Sequence, residues 1–277
     1  RVLDGAVVIF DGVAGVEPQS ETVWHQADKF KVPRICFINK MDRTGANFEK
    51  SFVSILERLT PNAVAVQLPI GAEDKFEGVI DLLKMKALKF DGEHGEKIIE
   101  EEIPEPLKVK SQEMRHHLME KIVEQDEALM HRYLGGEEIL IEDLKKILRQ
   151  AVISCELVPV FTGAALKNKA IQPLLDGVVE YLPSPADLPA TEGFDPKDEG
   201  KKIIRQPKDD EPFAALAFKV ASDPYVGQLT YFRIYAGILV AGSYVLNSTT
   251  GEKERIVRIL RMYAKHRDEV KEMYTFE

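Results

Sequence analysis

Cysteine is scarce: Cys36 and Cys155 are the only two in 277 residues, and each sits alone on an apolar run with no Cys-X-X-Cys pairing. Neither a disulfide framework nor a thiolate metal centre is indicated, and buried reduced thiols are expected. Histidine is sparse too, and His116, His117 and His131 fall in a charged helical stretch that lacks His-Glu-X-X-His spacing. That pattern puts them on a solvated face, not on a zinc ion. No apolar stretch approaches the ~20 residues of a membrane helix, and no basic-then-apolar leader opens the chain. A cytoplasmic chain without a membrane partner is therefore expected. Basic residues are in deficit, 37 against 46 acidic ones, for a net charge of −9. This argues against holding a polyanion such as DNA by overall charge and leaves only a local patch for any RNA contact.

What is present is a composition that can bury a sizeable core, 44% hydrophobic and 30% charged over a length that suggests roughly two domains. Both ends look cut. Arg1 is followed almost at once by the apolar run Gly5 to Asp11, and the last residues, Glu272 to Glu277, stop inside an alternating pattern, so the chain is expected to be a fragment of a longer protein. Alternating strand and helix patterns follow. A strand at 5–11, a helix opening at Pro18 and ending before Pro33, a strand at 34–38 and a helix carrying Phe48, Phe52, Ile55 and Leu59 describe a right-handed parallel unit.

The second strand, Arg34 to Ile38, stops abruptly on Asn39-Lys40-Met41-Asp42. In an open parallel sheet, ligands bind just past the carboxyl ends of the strands. The residue types suit one base. An ionised Asp42 accepts two adjacent hydrogen bonds, which guanine offers through N1–H and its 2-amino group and adenine does not. Asn39 has a donor and an acceptor with which to bridge the base and a neighbouring loop, and Lys40 can lay its methylene stem along the base. A second small-residue turn ends the strand Val158 to Thr162 at Gly163-Ala164-Ala165-Leu166-Lys167-Asn168. Such a turn lets backbone N–H groups approach a carbonyl acceptor closely.

The stretch Asp11 to Thr22 leading into Asn39-Lys40-Met41-Asp42-Arg43 resembles the translational GTPases, the elongation factor G branch most closely, and Gly163 to Asn168 resembles the fifth guanine-nucleotide loop of that superfamily. In this chain the usual Ser of that loop is Ala164, so its side-chain hydrogen bond is lost while the Ala165 backbone contact is kept. The resemblance implies a P-loop NTPase-type α/β GTPase domain with its N-terminal part missing and an inserted α+β subdomain, followed by a partial antiparallel β-barrel. Residues 1–185 would form the GTPase part, about 60–155 its insertion, 186–212 a linker and 213–277 the truncated start of the barrel. It also implies GTP or GDP as ligand, with Asn39, Lys40, Asp42, Gly163, Ala164, Ala165 and Leu166 at the guanine base. The implied partner is the ribosome, its RNA and proteins, and the implied activity is GTP hydrolysis driving translocation.

No Gly-X-X-X-X-Gly-Lys-Ser/Thr occurs anywhere, so the loop that cradles phosphates is absent, and no catalytic residue or Mg²⁺ ligand is assigned to these residues. Those parts are expected upstream, and the chain is expected to be inactive alone. Within the insertion, 105–134 reads as one long helix, and the acidic run 96–105 as a solvated edge. Lys253, Arg255, Arg258, Arg261, Lys265, His266 and Arg267 gather around Tyr263. The family would turn this patch to ribosomal RNA; plain edge protection is the alternative. Two other classes remain open: a sister translational GTPase of the ribosomal-protection or release type, and a non-GTPase α/β enzyme in which Asn39 to Asp42 is an accidental match.

Overall fold

The computed structural model describes residues 2–92, 95–184, 187–195, 198–223, 227–263 and 266–276. Pro185 and Ala186 at the expected domain boundary, Pro196 and Lys197 in the expected linker, and Lys265 of the basic patch lie outside them. The chain divides into two compact units, Leu3–Pro183 and Ser184–Glu277.

The first unit runs β1 (Ala6–Asp11), α1 (Pro18–Lys29), β2 (Arg34–Asn39), α2 (Phe48–Arg58), β3 (Ala63–Ala65), β4 (Gln67–Ile70), β5 (Gly78–Asp81), β6 (Lys86–Asp91) and β7 (Lys97–Glu101), then α3 (Glu105–Val123), α4 (Glu127–Leu134), α5 (Ile141–Ile153), β8 (Val158–Thr162) and α6 (Ile171–Tyr181). Four strands form a parallel sheet in the order β1-β2-β8-β3. Its inner strands β2 and β8 are buried almost throughout, as parallel strands covered on both faces must be. The helices α2, α5 and α6 supply that cover. At the start of β2, Arg34 is buried with its guanidinium 4.3 Å from the Trp24 ring centre, and it donates to Asp28 Oδ1 at 2.6 Å, which fastens α1 to the sheet.

Three expectations are corrected. Ala63–Ala65, read as the opening of the insertion, is β3 of the parallel sheet and pairs with β8 in register Ala63 to Val158; the long-range pairing partner was invisible in a three-residue apolar run. The insertion proper is an antiparallel sheet, β4-β5-β6-β7, followed by helices. Its acidic stretch is the edge strand β7, where charges discourage further pairing. The helix expected over 105–134 is two helices, because Asp126 adopts extended backbone and its side chain accepts from Leu129 N at 2.8 Å, capping α4 afresh.

The second unit contains β9 (Thr191–Asp195) and β10 (Asp198–Arg205), β11 (Ala214–Asp223) and β12 (Gly227–Ala236), β13 (Leu239–Val240), β14 (Tyr244–Leu246), β15 (Lys253–Arg255), β16 (Ile259–Tyr263), β17 (His266–Val270) and β18 (Glu272–Met273). All pair antiparallel: β9 with β10, β11 with β12, β13 with β18, β14 with β15 and β16 with β17. The third correction lies here. The stretch expected as an aperiodic linker holds the β9–β10 pair, because Lys202-Ile203-Ile204-Arg205 pairs with Thr191 to Phe194. A parallel α/β sheet with an added α+β region, followed by an antiparallel β-rich region, agrees with the fold class expected from sequence. Among the described residues no helix is long and apolar enough to cross a membrane.

Candidate functional site

Three neighbouring parallel strands, β1, β2 and β8, end side by side at Asp11, Asn39 and Thr162, and the loops that leave them form one polar edge. The first tie between these loops is made by Asn39. Its Oδ1 accepts from Lys40 N at 2.7 Å and from Ala165 N at 2.9 Å; two N–H donors aimed at one atom fix it as the amide oxygen. Ala165 N–H, expected to meet a ligand oxygen, is thus bonded across to the other loop. The backbone then adds Met41 N to Gly163 O at 3.1 Å and Gly163 N to Ile38 O at 3.0 Å, while Thr162 Oγ1 donates to Ile38 O at 3.1 Å.

Within the second turn the expected residues divide by role. Gly163 and Ala164 are buried and fasten the turn: Ala164 N donates to Lys169 O, and Ala164 O accepts from Lys167 N and Lys169 N. A Cβ on Gly163 would lie 2.5 Å from Lys169 O and 3.0 Å from the Phe37 ring, so nothing larger fits. Ala165 and Leu166 face outward, Leu166 with 99% of its surface exposed.

Asp42 is mostly covered, at 17% exposure, and its Oδ2 lies 3.0 Å from Lys167 Nζ. Lys40 adopts the left-handed region, φ 62°, which turns the chain sharply off β2, and its Nζ donates to Asp11 Oδ2 at 2.8 Å. That bond, assisted by Val13 N and Ala14 N on Oδ1 and opposed by burial, holds the Asp11 carboxyl below the usual carboxylate range. Of the eight non-glycine residues at positive φ among the described residues, Lys40, Glu73, Asn168 and Ala170 lie at this edge. Strain of this kind persists where surrounding contacts enforce it, and it gathers at binding sites.

Sequence reading missed the braces. Glu73 N donates to Met41 O at 2.8 Å, and Glu73 Oε1 accepts from Gly45 N at 2.8 Å. Lys169 Nζ donates to Phe76 O at 2.7 Å. The turn between β4 and β5 therefore supports both loops. Asp11 did carry a signal, since β1 like β2 is an apolar run ending on a polar side chain. Glu73, Lys167 and Lys169 carried none without the topology. Cys36 is buried in the middle of β2 and the pKa of its thiol is pushed up by that burial, so it takes no part in the edge. Among the described residues no group of three or more His, Cys, Asp or Glu is arranged to hold a metal ion.

With this geometry in hand, comparison with known proteins is informative. The family model for the elongation factor Tu GTP binding domain matches residues 1–184, and that for elongation factor G domain 2 matches residues 212–275. The chain is also similar to a crystal structure from Thermus thermophilus, at 27% identity and a TM-score of 0.75, over 98% of this chain and 37% of that one. It thus spans 37% of the length of that relative. The first match alone covers well over half of the residues, and the chain belongs to the translational GTPases, the family that shares the GTP-binding domain of elongation factor Tu.

Proposed function

We propose that the Asn39 to Asp42 and Gly163 to Leu166 loops bind the guanine base of GTP or GDP, in a cytoplasmic, ribosome-dependent GTPase of the elongation factor G type that moves tRNA and mRNA through the ribosome. The observation that carries the reading is the Asn39 bridge to Ala165 N at 2.9 Å. It commits the amide oxygen to the protein and leaves the Asn39 amino group as a donor for the base, while joining the two loops into one surface. Asp42 would exchange its Lys167 partner for guanine N1–H and the 2-amino group, a side-by-side donor pair that a carboxylate matches. The Lys40 stem and the exposed Leu166 side chain offer apolar surface to a planar base.

The elongation factor G assignment is supported by the match of residues 212–275 to that factor's second domain and by the sheet and helices inserted between β3 and β8. Hydrolysis is assigned to none of these residues. The phosphate-cradling motif is absent from the 277 residues. Base recognition is the part of the activity that these residues account for.

The test is a change of base. In the longest natural polypeptide that contains this chain, Asp42→Asn replaces an acceptor with an amide that can donate to the 2-oxo group of xanthine. Preference should move from guanosine to xanthosine diphosphate by at least ~10-fold, the scale of losing one well-placed charged hydrogen bond. Unchanged guanine preference would remove Asp42 from the site.

A further inference from the structure

Asp11 stands at the end of β1, one strand away from Asn39, and its two oxygens do different things. Oδ1 accepts from Val13 N at 2.9 Å and Ala14 N at 3.4 Å, which closes the turn leaving the strand. Oδ2 accepts from Lys40 Nζ at 2.8 Å and lies 3.4 Å from Arg43 Nη1. Asp11 is 17% exposed, whereas Lys40 is 54% exposed, so the carboxylate is a fixed post and the lysine the movable partner. As a contribution to stability an ion pair this open is small. Its effect on Lys40 is larger in kind. A lysine has four side-chain torsions, and leaving them free until a ligand arrives charges their ordering against affinity.

We propose that Asp11 is a positioning residue for base recognition: by anchoring Lys40 Nζ it sets the lysine stem in place beside Asn39 and Asp42 before any nucleotide binds. This rests on the reading of Asn39 to Asp42 as the guanine site. The backbone cooperates, because the left-handed Lys40 has its N–H tied to Asn39 Oδ1. Both ends of the side chain are thereby fixed, one by its own backbone and one by Asp11. The ammonium is also neutralised where it stands, so Lys40 acts through its stem more than through its charge.

The experiment is a double-mutant cycle on the affinity for a fluorescent GDP, in the longest natural polypeptide containing the chain. Asp11→Asn keeps an oxygen for the Val13 and Ala14 turn and removes the anion; Lys40→Ala removes the stem. Asp11→Asn should weaken binding about 5-fold and Lys40→Ala about 10-fold, and the double variant should match Lys40→Ala within about 2-fold, because the two residues act as one unit. A purely structural Asp11 would give additive losses, Asp11→Asn weakening binding as much without the Lys40 stem as with it. Additivity, or an Asp11→Asn protein that binds as the parent does, overturns the proposal. Should Asp11→Asn fail to fold, Lys40→Met keeps an apolar stem and removes the same bond from the other end, and affinity equal to the parent's would overturn it equally. The Asp42→Asn base switch separates the two levels. If it fails, the guanine site itself is wrong; if it succeeds while the cycle is additive, the site stands and Asp11 has no positioning role.

Discussion

Asn39 has one oxygen and one amino group, and the fold divides them between the protein and the open edge. Because its oxygen joins the β2 and β8 loops, Asn39→Ala should cost only ~1 kcal/mol of stability, as water can reach the exposed Ala165 N–H. GDP release, by contrast, should accelerate by at least ~10-fold, since two loops that were one surface would move separately; stopped-flow dissociation of a fluorescent GDP measures it, and an unchanged rate would show that the bridge is not used. Asp11 has a pH signature. The hydrogen bond from Lys40 lowers its folded-state pKa, so its contribution is complete above the unfolded value of about 3.9 and is lost as pH falls through the lower folded value. Denaturation midpoints of the parent and Asp11→Asn should therefore differ by a constant amount from pH 5 to 8 and converge below about pH 4. That Asn39 to Asp42 leaves the end of a buried strand was legible in sequence, because an apolar run stops there on an amide, a cation and a carboxylate. The pairing of Asp11 with Lys40 was not, since it follows from β1 lying beside β2.

Gly177 shows how packing overrides local preference. Inside α6, Gly→Ala ordinarily stabilises by up to ~1 kcal/mol. Here an added Cβ would lie 2.4 Å from the Phe161 ring, and that ring is buried and tilted against Tyr181 at 6.3 Å, so yielding would break a packed contact. Overpacking costs about 1–3 kcal/mol, which wins, and Gly177→Ala should lower stability by about 1 kcal/mol. A urea midpoint at or above the parent's would show that α6 can lift off β8. The same contest between local and distant terms explains which elements could be read in advance. The helices α1, α2, α5 and α6 and the strands β1, β2 and β8 announce themselves by period and punctuation. The break before α4 was hidden because Asp126 reads as one more polar residue in a helical period until its side chain is seen to accept from Leu129 N. β3 and the β9–β10 pair were hidden for a different reason: short runs acquire strand identity only from the partner they meet.

The two units are built to very different depths. In the first, a single buried cluster runs from Phe10 through the sheet residues Ile35, Phe37 and Val160 into Leu68, Ile80 and Leu118 of the inserted region. The parallel sheet and the insertion therefore share one core and should unfold together. In the second, the described core is Ile234, Leu239, Ile259 and Met273, with a few half-buried neighbours such as Phe232 and Val245. Each fully buried side chain contributes only ~1.5–3 kcal/mol, whereas every ordered backbone residue costs ~1–2 kcal/mol. A core this thin leaves the second unit the less stable of the two. Hydrogen exchange reads this directly, because amides that open only by global unfolding of their unit report that unit's stability. The amides of β2 and β8 should be the slowest in the chain, those of β4 and β5 should follow within about 10-fold because they share the core, and those of β12 and β16 should exchange at least ~100-fold faster. Equal protection in β8 and β12 would refute the claim that core depth sets the order. Fast exchange in β4 and β5 alongside slow exchange in β8 would mean instead that the inserted sheet opens on its own, leaving Glu73 and Phe76 to brace the loops after β2 and β8 only part of the time.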